Sequence, residues 1–263
     1  MGQAEGEAMN RWILIFLLLP AYLFADTSVV RYPVHDSWID VANQGTNYKA
    51  ADTLCTYMNI SFVMNAVFDW DFIGDDSVEI NAIVDSAKFS IKQKDATTAK
   101  VYLARLCKQF DIDKVDYIDY SGSNWDWGAA GAMNVTSSCG NCYNTGNGTG
   151  YDHAKNCDGK YDSANSGGAD TWTHIMVDTS HINWMLLNDI SRADDDSSCG
   201  LILLNGAGGG SKQVWYSMDW TGTANDPYLT IYYHLPSTGP PNAIRSSEGL
   251  GMKRSASGYS QLR

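Results

Sequence analysis

Short hydrophobic runs separated by Gly, Asn, Asp and Ser extend along the chain from residue 28 to residue 234. In the run 87–92 (AKFSIK), apolar and polar residues alternate strictly, which is typical of a strand with one buried face. Other runs have the aromatic and β-branched composition of strands, namely 61–72, 100–108, 174–177 and 228–234. The pattern therefore predicts an all-β fold of short strands joined by turns.

One segment follows a helical period instead. Asp178, Thr179 and Ser180 provide side-chain oxygens that can cap the start of a helix. The apolar residues that follow fall on one helical face, namely Ile182, Met185, Leu186 and Ile190. We expect one short helix here, with Trp184 in the core or at its rim rather than in a ligand site.

The sequence gives little support for catalysis. The segment 205–211 (NGAGGGS) lacks the spacing of a phosphate-binding loop, and its position between two apolar runs predicts a hairpin turn. A Gly-x-Ser-x-Gly motif is absent from the sequence. The aspartate pair 75–76 and the aspartate run 194–196 lie beside Gly or Ser, where turns are expected. We therefore do not expect an enzyme.

The beginning of the chain has the composition of an export signal. Residues 12–24 form an apolar run that is short for a membrane span, and the small residue Ala25 follows it. We expect residues 1–25 to be a signal peptide, with a retained membrane anchor as the alternative. The predicted location is secreted, extracellular or at the cell surface, without membrane contact after removal of the signal.

The rest of the chain is predicted to form one domain and a tail. Residues 26–235 contain the strand pattern, interrupted at about 120–170 by a long insert rich in Gly, Asn and Ser. Residues 236–263 are rich in Pro, Gly and Ser with few core residues, which predicts a flexible tail.

The chain carries a formal net charge of −12 over 263 residues. Such an acidic protein repels phosphate backbones, and no basic stripe offsets the repulsion, so nucleic acid is not an expected partner. The acidity is explained by solubility or, alternatively, by binding of a divalent cation, which leaves open a structural calcium ion. No other cofactor is predicted.

Six cysteines follow the predicted signal peptide, namely Cys55, Cys107, Cys139, Cys142, Cys157 and Cys199. An even number in an exported protein predicts three disulfides and no free thiol, with the pairing left open. Three of them, together with His153, also have the spacing of a zinc site: Cys139, Cys142 and Cys157. Because an oxidising compartment favours disulfides over thiolate ligands, we expect no metal site.

Aromatic residues in the insert are the predicted ligand-binding residues. Trp125, Trp127, Tyr143 and Tyr151 lie among Gly, Ser and Asn. Exposed aromatic faces can stack on the apolar faces of sugar rings, and neighbouring Asn and Asp side chains can bind hydroxyl groups. The alternative is that these aromatics form a small core of their own beneath the insert.

Two further sets of residues complete the candidate list. Three N-x-S/T sequons are candidates for glycosylation, at Asn59, Asn134 and Asn147. Two tryptophans in strand patterns, Trp70 and Trp215, are expected to pack in the core.

Short sequence pieces occur in a particular order through the middle of the chain. They are 47–48 with 53–54, 67–69 (VFD), 84–88 (VDSAK), 101–102, 124–125, 150–152 (GYD), 173–187, 200–203 (GLIL), 215–219 and 227–231 (PYLTI). In these pieces and their order the chain resembles the DNRLRE-domain family of secreted jelly-roll modules, which are similar to carbohydrate-binding modules. The resemblance implies a jelly-roll β-sandwich and a non-catalytic role.

Taken together, the predicted fold is all-β: a jelly-roll β-sandwich of antiparallel sheets with one short helix and a long disulfide-bearing loop insert. The expected function is non-catalytic binding of polysaccharide or matrix at an extracellular surface. The alternative is a structural subunit of an extracellular coat, filament or adhesive assembly, in which the partner is another copy of the chain.

Overall fold

The computed structural model describes residues 27–58, 63–70, 72, 78, 81–107, 110, 112–116, 127, 132, 135–136, 151–190, 200–206 and 211–236. The predicted signal peptide and nearly all of the predicted tail lie outside these residues. So do the three sequon asparagines and most of the predicted insert.

The described residues form thirteen strands and one α-helix, with two short 3₁₀ turns at Val41–Asn43 and Thr223–Asn225. The strands are β1 (Thr27–Arg31), β2 (His35–Asp40), β3 (Thr53–Met58), β4 (Val63–Asp69), β5 (Ile83–Lys92), β6 (Lys100–Leu106), β7 (Val135–Thr136), β8 (His153–Ala154), β9 (Asp162–Asn165), β10 (Trp172–Val177), β11 (Leu201–Asn205), β12 (Gln213–Tyr216) and β13 (Tyr228–His234). The helix α1 spans Thr179–Ile190.

The strands form two sheets. The small sheet has four strands in the order β1-β13-β5-β10. The large sheet has nine, in the order β12-β3-β4-β11-β6-β8-β7, with β2 also pairing with β4 and β9 with β6. All the pairings are antiparallel except that between the short strands β7 and β8.

Eight of these strands have the order β1-β13-β5-β10 in one sheet and β4-β11-β6-β9 in the other. The chain passes repeatedly between the two sheets, and its first and last strands pair in the small sheet. This is the strand order of a jelly roll, which consists of two packed Greek keys. The predicted all-β sandwich of antiparallel sheets is confirmed.

The main core lies between the sheets. Phe68 of β4 and Phe89 of β5 meet edge to face at 5.1 Å, and Trp70 contacts the Phe89 ring at 5.9 Å. Trp70 and Trp215 are fully buried, as predicted for packing residues. Such aromatic contacts add to the area that each ring removes from water, so this cluster holds the two sheets together.

A second core covers the opposite face of the large sheet. Strand residues that alternate with those of the main core, such as Val67, Ala104 and Ile202, pack there against Phe110 and Trp127 from outside the sheet. Trp127 is 3% exposed, and its indole N–H donates to the Asp116 carbonyl oxygen at 3.0 Å. For Trp127 the structure therefore supports the alternative of a small core rather than an exposed stacking surface.

The predicted helix is confirmed. An Asp178 carboxylate oxygen accepts a hydrogen bond from the Ser180 backbone N–H at 2.8 Å, which caps the start of α1. Ile182 and Met185 are buried in the main core. Trp184 lies at the rim of that core, with the Arg105 guanidinium 3.8 Å from its ring.

Two sequence predictions about loops are wrong. Residues 205–211 do not join paired strands, because β4 and β6 occupy both sides of β11 and β12 pairs with β3 instead. The predicted insert also contains strands, since β8 and β9 both pair with β6. The β9 sequence, DSAN, is polar because the strand is only half-buried, so its composition does not indicate a strand.

Replacement of Trp127 by alanine tests the second core. We expect Trp127→Ala to lower the free energy of unfolding by about 3–5 kcal/mol, because it leaves a cavity beneath a buried sheet. Tyr151→Ala, at a side chain that is 47% exposed, is the control and should change stability by about 0.5 kcal/mol or less. Denaturant unfolding measures both. Equal stability of the Trp127→Ala variant and the wild type would contradict the second core.

Candidate functional site on the small sheet

The outer face of the small sheet carries large side chains. In β10, Thr173, Ile175 and Val177 are buried, while the alternate residues Trp172, His174 and Met176 are exposed or half-buried on the other side. In β5 the outward positions are Ser86, Lys88, Ser90 and Lys92, and in β13 they are Tyr228, Thr230 and Tyr232. The face is thus a mixture of aromatic, aliphatic and basic residues.

Four rings cross this face from one edge strand to the other. Trp172 contacts Tyr228 edge to face at 5.2 Å, and Tyr228 contacts Tyr32 at 6.3 Å. On the other side, the indole of Trp172 is nearly parallel to the His174 ring, with centroids 6.5 Å apart. We refer to Tyr32, Tyr228, Trp172 and His174 as the aromatic strip.

Register explains how distant parts of the chain build the strip. Ser90 of β5 lies opposite His174 of β10 on one side and Tyr228 of β13 on the other. The β1–β13 ladder brings Tyr32, directly after β1, beside Tyr228. Trp172, two residues before His174 and opposite Lys92, reaches across β5 to meet the Tyr228 ring.

Polar groups border the strip. The Ser90 hydroxyl and His174 Nδ1 are 2.8 Å apart. Burial, with a smaller effect of the Lys88 ammonium, lowers the pKa of His174, so its ring is neutral near pH 7. The Lys92 ammonium donates to the Asn225 side-chain oxygen at 2.8 Å. Ser90 itself is buried, but the exposed imidazole of His174 and the partly exposed amide of Asn225 can exchange hydrogen bonds with the hydroxyl groups of a ligand.

Exposed apolar side chains concentrate around the same sheet. Eight large hydrophobic residues of the described chain are exposed, and all but Tyr151 lie on the small sheet or in the segments that adjoin its strands. These are Val30, Tyr32, Val34, Ile83, Met176, Tyr232 and Leu235. A concentration of exposed apolar groups around one sheet is typical of an interaction surface.

No protein-family model matches the chain, and no curated protein shows a significant sequence match to it. The resemblance to the DNRLRE-domain family stays a prediction.

The ligand residues predicted from sequence have different outcomes. Trp127 is buried, as described above. Tyr151 is 47% exposed and stays a candidate. Trp125 and Tyr143 lie outside the described residues. Of these four, none belongs to the aromatic strip.

Sequence reasoning missed the aromatic strip. The signal was present in β10, where Trp172, His174 and Met176 alternate with residues of the core. Because Ile175 and Val177 are also apolar, the pattern does not identify which side faces solvent. The positions of Tyr32 and Tyr228 become informative only once β1 and β13 are known to pair.

A cavity of about 250 Å³ lies near the Tyr32 end of the strip, with Val34 and Asp219 among its lining residues. Asp36 at this cavity accepts hydrogen bonds from the Ser217 hydroxyl and the Met218 N–H, each at 2.9 Å. Burial, together with the nearby Asp219 carboxylate, raises the pKa of Asp36 to about 7. Because both carboxylate oxygens are occupied, Asp36 anchors the chain after β12 to β2.

The histidine of the possible zinc motif is engaged within the protein. His153 Nδ1 lies 2.8 Å from the Ala132 carbonyl oxygen and must donate to it, so Nε2 accepts from the Tyr161 hydroxyl at 2.9 Å. Burial lowers the pKa of His153 to about 4. Within the described residues, no group of three or more His, Cys, Asp or Glu side chains is arranged to hold a metal ion.

The prediction that all six cysteines form disulfides is wrong at Cys55, which is a buried free thiol. It lies in β3 and is 4% exposed, and burial raises the pKa of its thiol despite the nearby Lys212 ammonium. Cys107 and Cys157 are disulfide-bonded. Cys139, Cys142 and Cys199 lie outside the described residues.

The part of the chain that the structure describes contains no helix both long and apolar enough to cross a membrane.

Two buried histidines should make the stability of the fold sensitive to acid. Burial lowers the pKa of both His153 and His181 to about 4, whereas an unfolded histidine titrates near pH 6.5. Between these values the unfolded chain binds protons that the folded chain does not, so stability decreases as the pH falls from 6.5 to 4. Asp36 has the opposite effect. Because its pKa is raised in the folded state, the folded chain binds a proton more readily there than the unfolded chain does, and this stabilises the fold as the pH falls.

A variant isolates the contribution of His153 from that of Asp36. We expect wild type to lose about 2 kcal/mol more stability than His153→Gln between pH 6.5 and pH 4.5. Glutamine does not titrate there and can still donate to the Ala132 carbonyl. Denaturant unfolding at the two pH values gives the difference. The same pH dependence in both proteins would contradict a buried neutral His153.

Proposed function

We propose that the protein is a non-catalytic, exported module that binds a polysaccharide chain on the outer face of its small sheet. The observation that carries the proposal is the aromatic strip. Trp172 and Tyr228 are half-buried and meet edge to face, and Tyr32 is 54% exposed beside them. Sugar rings have apolar C–H faces that stack on such groups, and their hydroxyls need polar neighbours.

The polar border of the strip supports a sugar ligand over a purely apolar one. His174 and Asn225 supply hydrogen-bonding groups close to the rings. Sugars offer both a face to stack and hydroxyl groups to pair, so this mixture suits them better than it suits a lipid.

The orientation of the rings favours a single twisted chain over the flat surface of a crystalline polymer. The Trp172 and Tyr228 rings are inclined by 63°, and those of Tyr228 and Tyr32 by 57°. Rings inclined in this way cannot all lie flat on one plane. A chain whose successive sugars rotate can follow them.

The cavity beside Asp36 is a weaker candidate for the main site. Lys49 and Asp113, which also line it, form an ion pair with each other. Asp36 is 2% exposed and already holds two hydrogen bonds. Its polar groups are therefore largely committed to interactions within the protein.

A second candidate function is a structural subunit of an extracellular assembly. Six cysteines less the free Cys55 leave five, an odd number that cannot pair completely within one chain. An unpaired cysteine in an exported protein can link two copies. The exposed apolar side chains of the small sheet offer a surface for such contacts. Bands at twice the monomer mass on a non-reducing gel, lost on reduction, would favour this candidate.

Substitution of the central tryptophan tests the proposed function. We expect Trp172→Ala to weaken binding to soluble polysaccharides at least tenfold, because truncation of an interfacial aromatic hot spot commonly costs about 2 kcal/mol or more. Affinity electrophoresis through gels that contain different soluble polysaccharides measures the change. Stability should decrease little, since the side chain is half-buried on an outer face.

Two controls make the result specific. Tyr232→Ala changes an exposed aromatic on the same sheet that lies outside the strip, and Tyr151→Ala changes the exposed residue predicted from sequence. Both should bind as wild type does. Loss of binding in Tyr151→Ala, with Trp172→Ala unaffected, would place the site on the insert and overturn the proposal.

A further inference from the structure

The face proposed to bind polysaccharide differs in charge from the rest of the chain. The formal net charge of the whole sequence is −12. In contrast, the outward strand positions registered with residues 86–92 carry two lysines, Lys88 and Lys92, and no carboxylate. Asp85 is also exposed in β5, at the register shift between β5 and β13, and its carboxylate bonds to His234; Asp170, just before β10, accepts a hydrogen bond from the Tyr216 hydroxyl.

The two lysines have different surroundings. The Lys92 ammonium is held at the end of the sheet by the Asn225 side-chain oxygen at 2.8 Å, with Asp170 at 4.0 Å. Lys88 lies in the middle of β5, opposite Met176 on one side and Thr230 on the other. Within the described part of the chain, the ion pairs of this sheet involve Lys92 and His234 and leave Lys88 without a carboxylate.

Lys88 is also close to the aromatic strip. It is two residues from Ser90, which lies between His174 and Tyr228. Two residues along a strand span about 7 Å. The Lys88 charge also contributes to the lowered pKa of His174, which places the ammonium near that ring. A flexible lysine stem can therefore bring its charge to a group on a sugar that is stacked on the strip.

We propose that the polysaccharide bound by the aromatic strip is acidic, and that the Lys88 ammonium pairs with its carboxylate or sulfate groups. The inference rests on the proposed function and specifies its ligand class. Charge complementarity supports the inference: among the described residues Lys88 has no ion-pair partner, and the exposed carboxylate of β5, Asp85, is bonded to His234, in a protein that is otherwise acidic. Stacking on the rings supplies affinity for the sugar backbone, and Lys88 distinguishes charged from neutral chains.

The test uses a matched pair of ligands, polygalacturonate and the same polymer after reduction of its carboxyl groups. We expect the wild type to bind the charged polymer at least tenfold more tightly, because a hydrogen bond to a charged group is worth that much. Lys88→Gln should lose about that factor on the charged polymer and nothing on the reduced one. A sulfated polysaccharide in a third measurement shows whether sulfate replaces carboxylate.

A control variant separates local from overall charge. Lys160→Gln makes the same change in net charge at a side chain that pairs with Asp158 on a different part of the surface. It should bind both polymers as the wild type does. Equal affinity of the wild type for the charged and reduced polymers would overturn the inference, as would equal effects of the two lysine substitutions.

The outcome also distinguishes this inference from the proposed function. If Trp172→Ala abolishes binding and Lys88→Gln has no effect, the strip binds neutral glycans and only the charge inference fails. If neither substitution affects binding, or no polysaccharide is bound, both fail. A change in self-association with Lys88→Gln, without a change in glycan binding, would assign the face to a second copy and overturn the inference.

Discussion

Burial of the large sheet on both of its faces determines how the rest of the surface is used. Strand β11 is buried along its whole length, which is unusual for a sheet in a sandwich, where one face normally meets water. One face is covered by the small sheet and the other by the second core around Trp127. A strand of sequence LILLN requires both covers, because either one alone would leave alternate leucine or isoleucine side chains exposed.

The small sheet has the opposite arrangement. Its inner side contributes Phe89, Ile91 and Ile231 to the main core, while its outer side exposes Trp172, Tyr32 and Met176. Exposure of large apolar groups forgoes the stabilisation that burial would give, and an isolated face of this kind favours association. A ligand that stacks on aromatic rings and also pairs with polar groups explains why large apolar side chains are exposed on this face and why polar groups lie beside them. The asymmetry between the two outer faces is thus the main reason to place the site here.

Sequence patterns predicted the strands and the helix whose own residues show the hydrophobic period of that element. The alternation of 87–92 and the run 228–234 both correspond to strands, and the spacing from Ile182 to Ile190 corresponds to α1. The failures concern pairings between distant segments. Trp127 and the strip residue Trp172 look alike in sequence, each a tryptophan among polar residues. Whether such a side chain is covered depends on which segment packs over it. Likewise, Cys55 is a free thiol because of its position in the fold, and an even number of cysteines in the sequence does not reveal that position.

The central claim is that ligand binds to the outer face of the small sheet and not to the insert. Hydroxyl-radical footprinting by mass spectrometry, with and without saturating polysaccharide, tests it on the unmodified protein. Bound ligand should protect Trp172, Tyr228, Tyr32 and Met176 from oxidation, while exposed Tyr151 reacts equally in both samples. Protection of Tyr151 and of the insert peptides that contain Trp125 and Tyr143, with unchanged oxidation of the small sheet, would contradict the account.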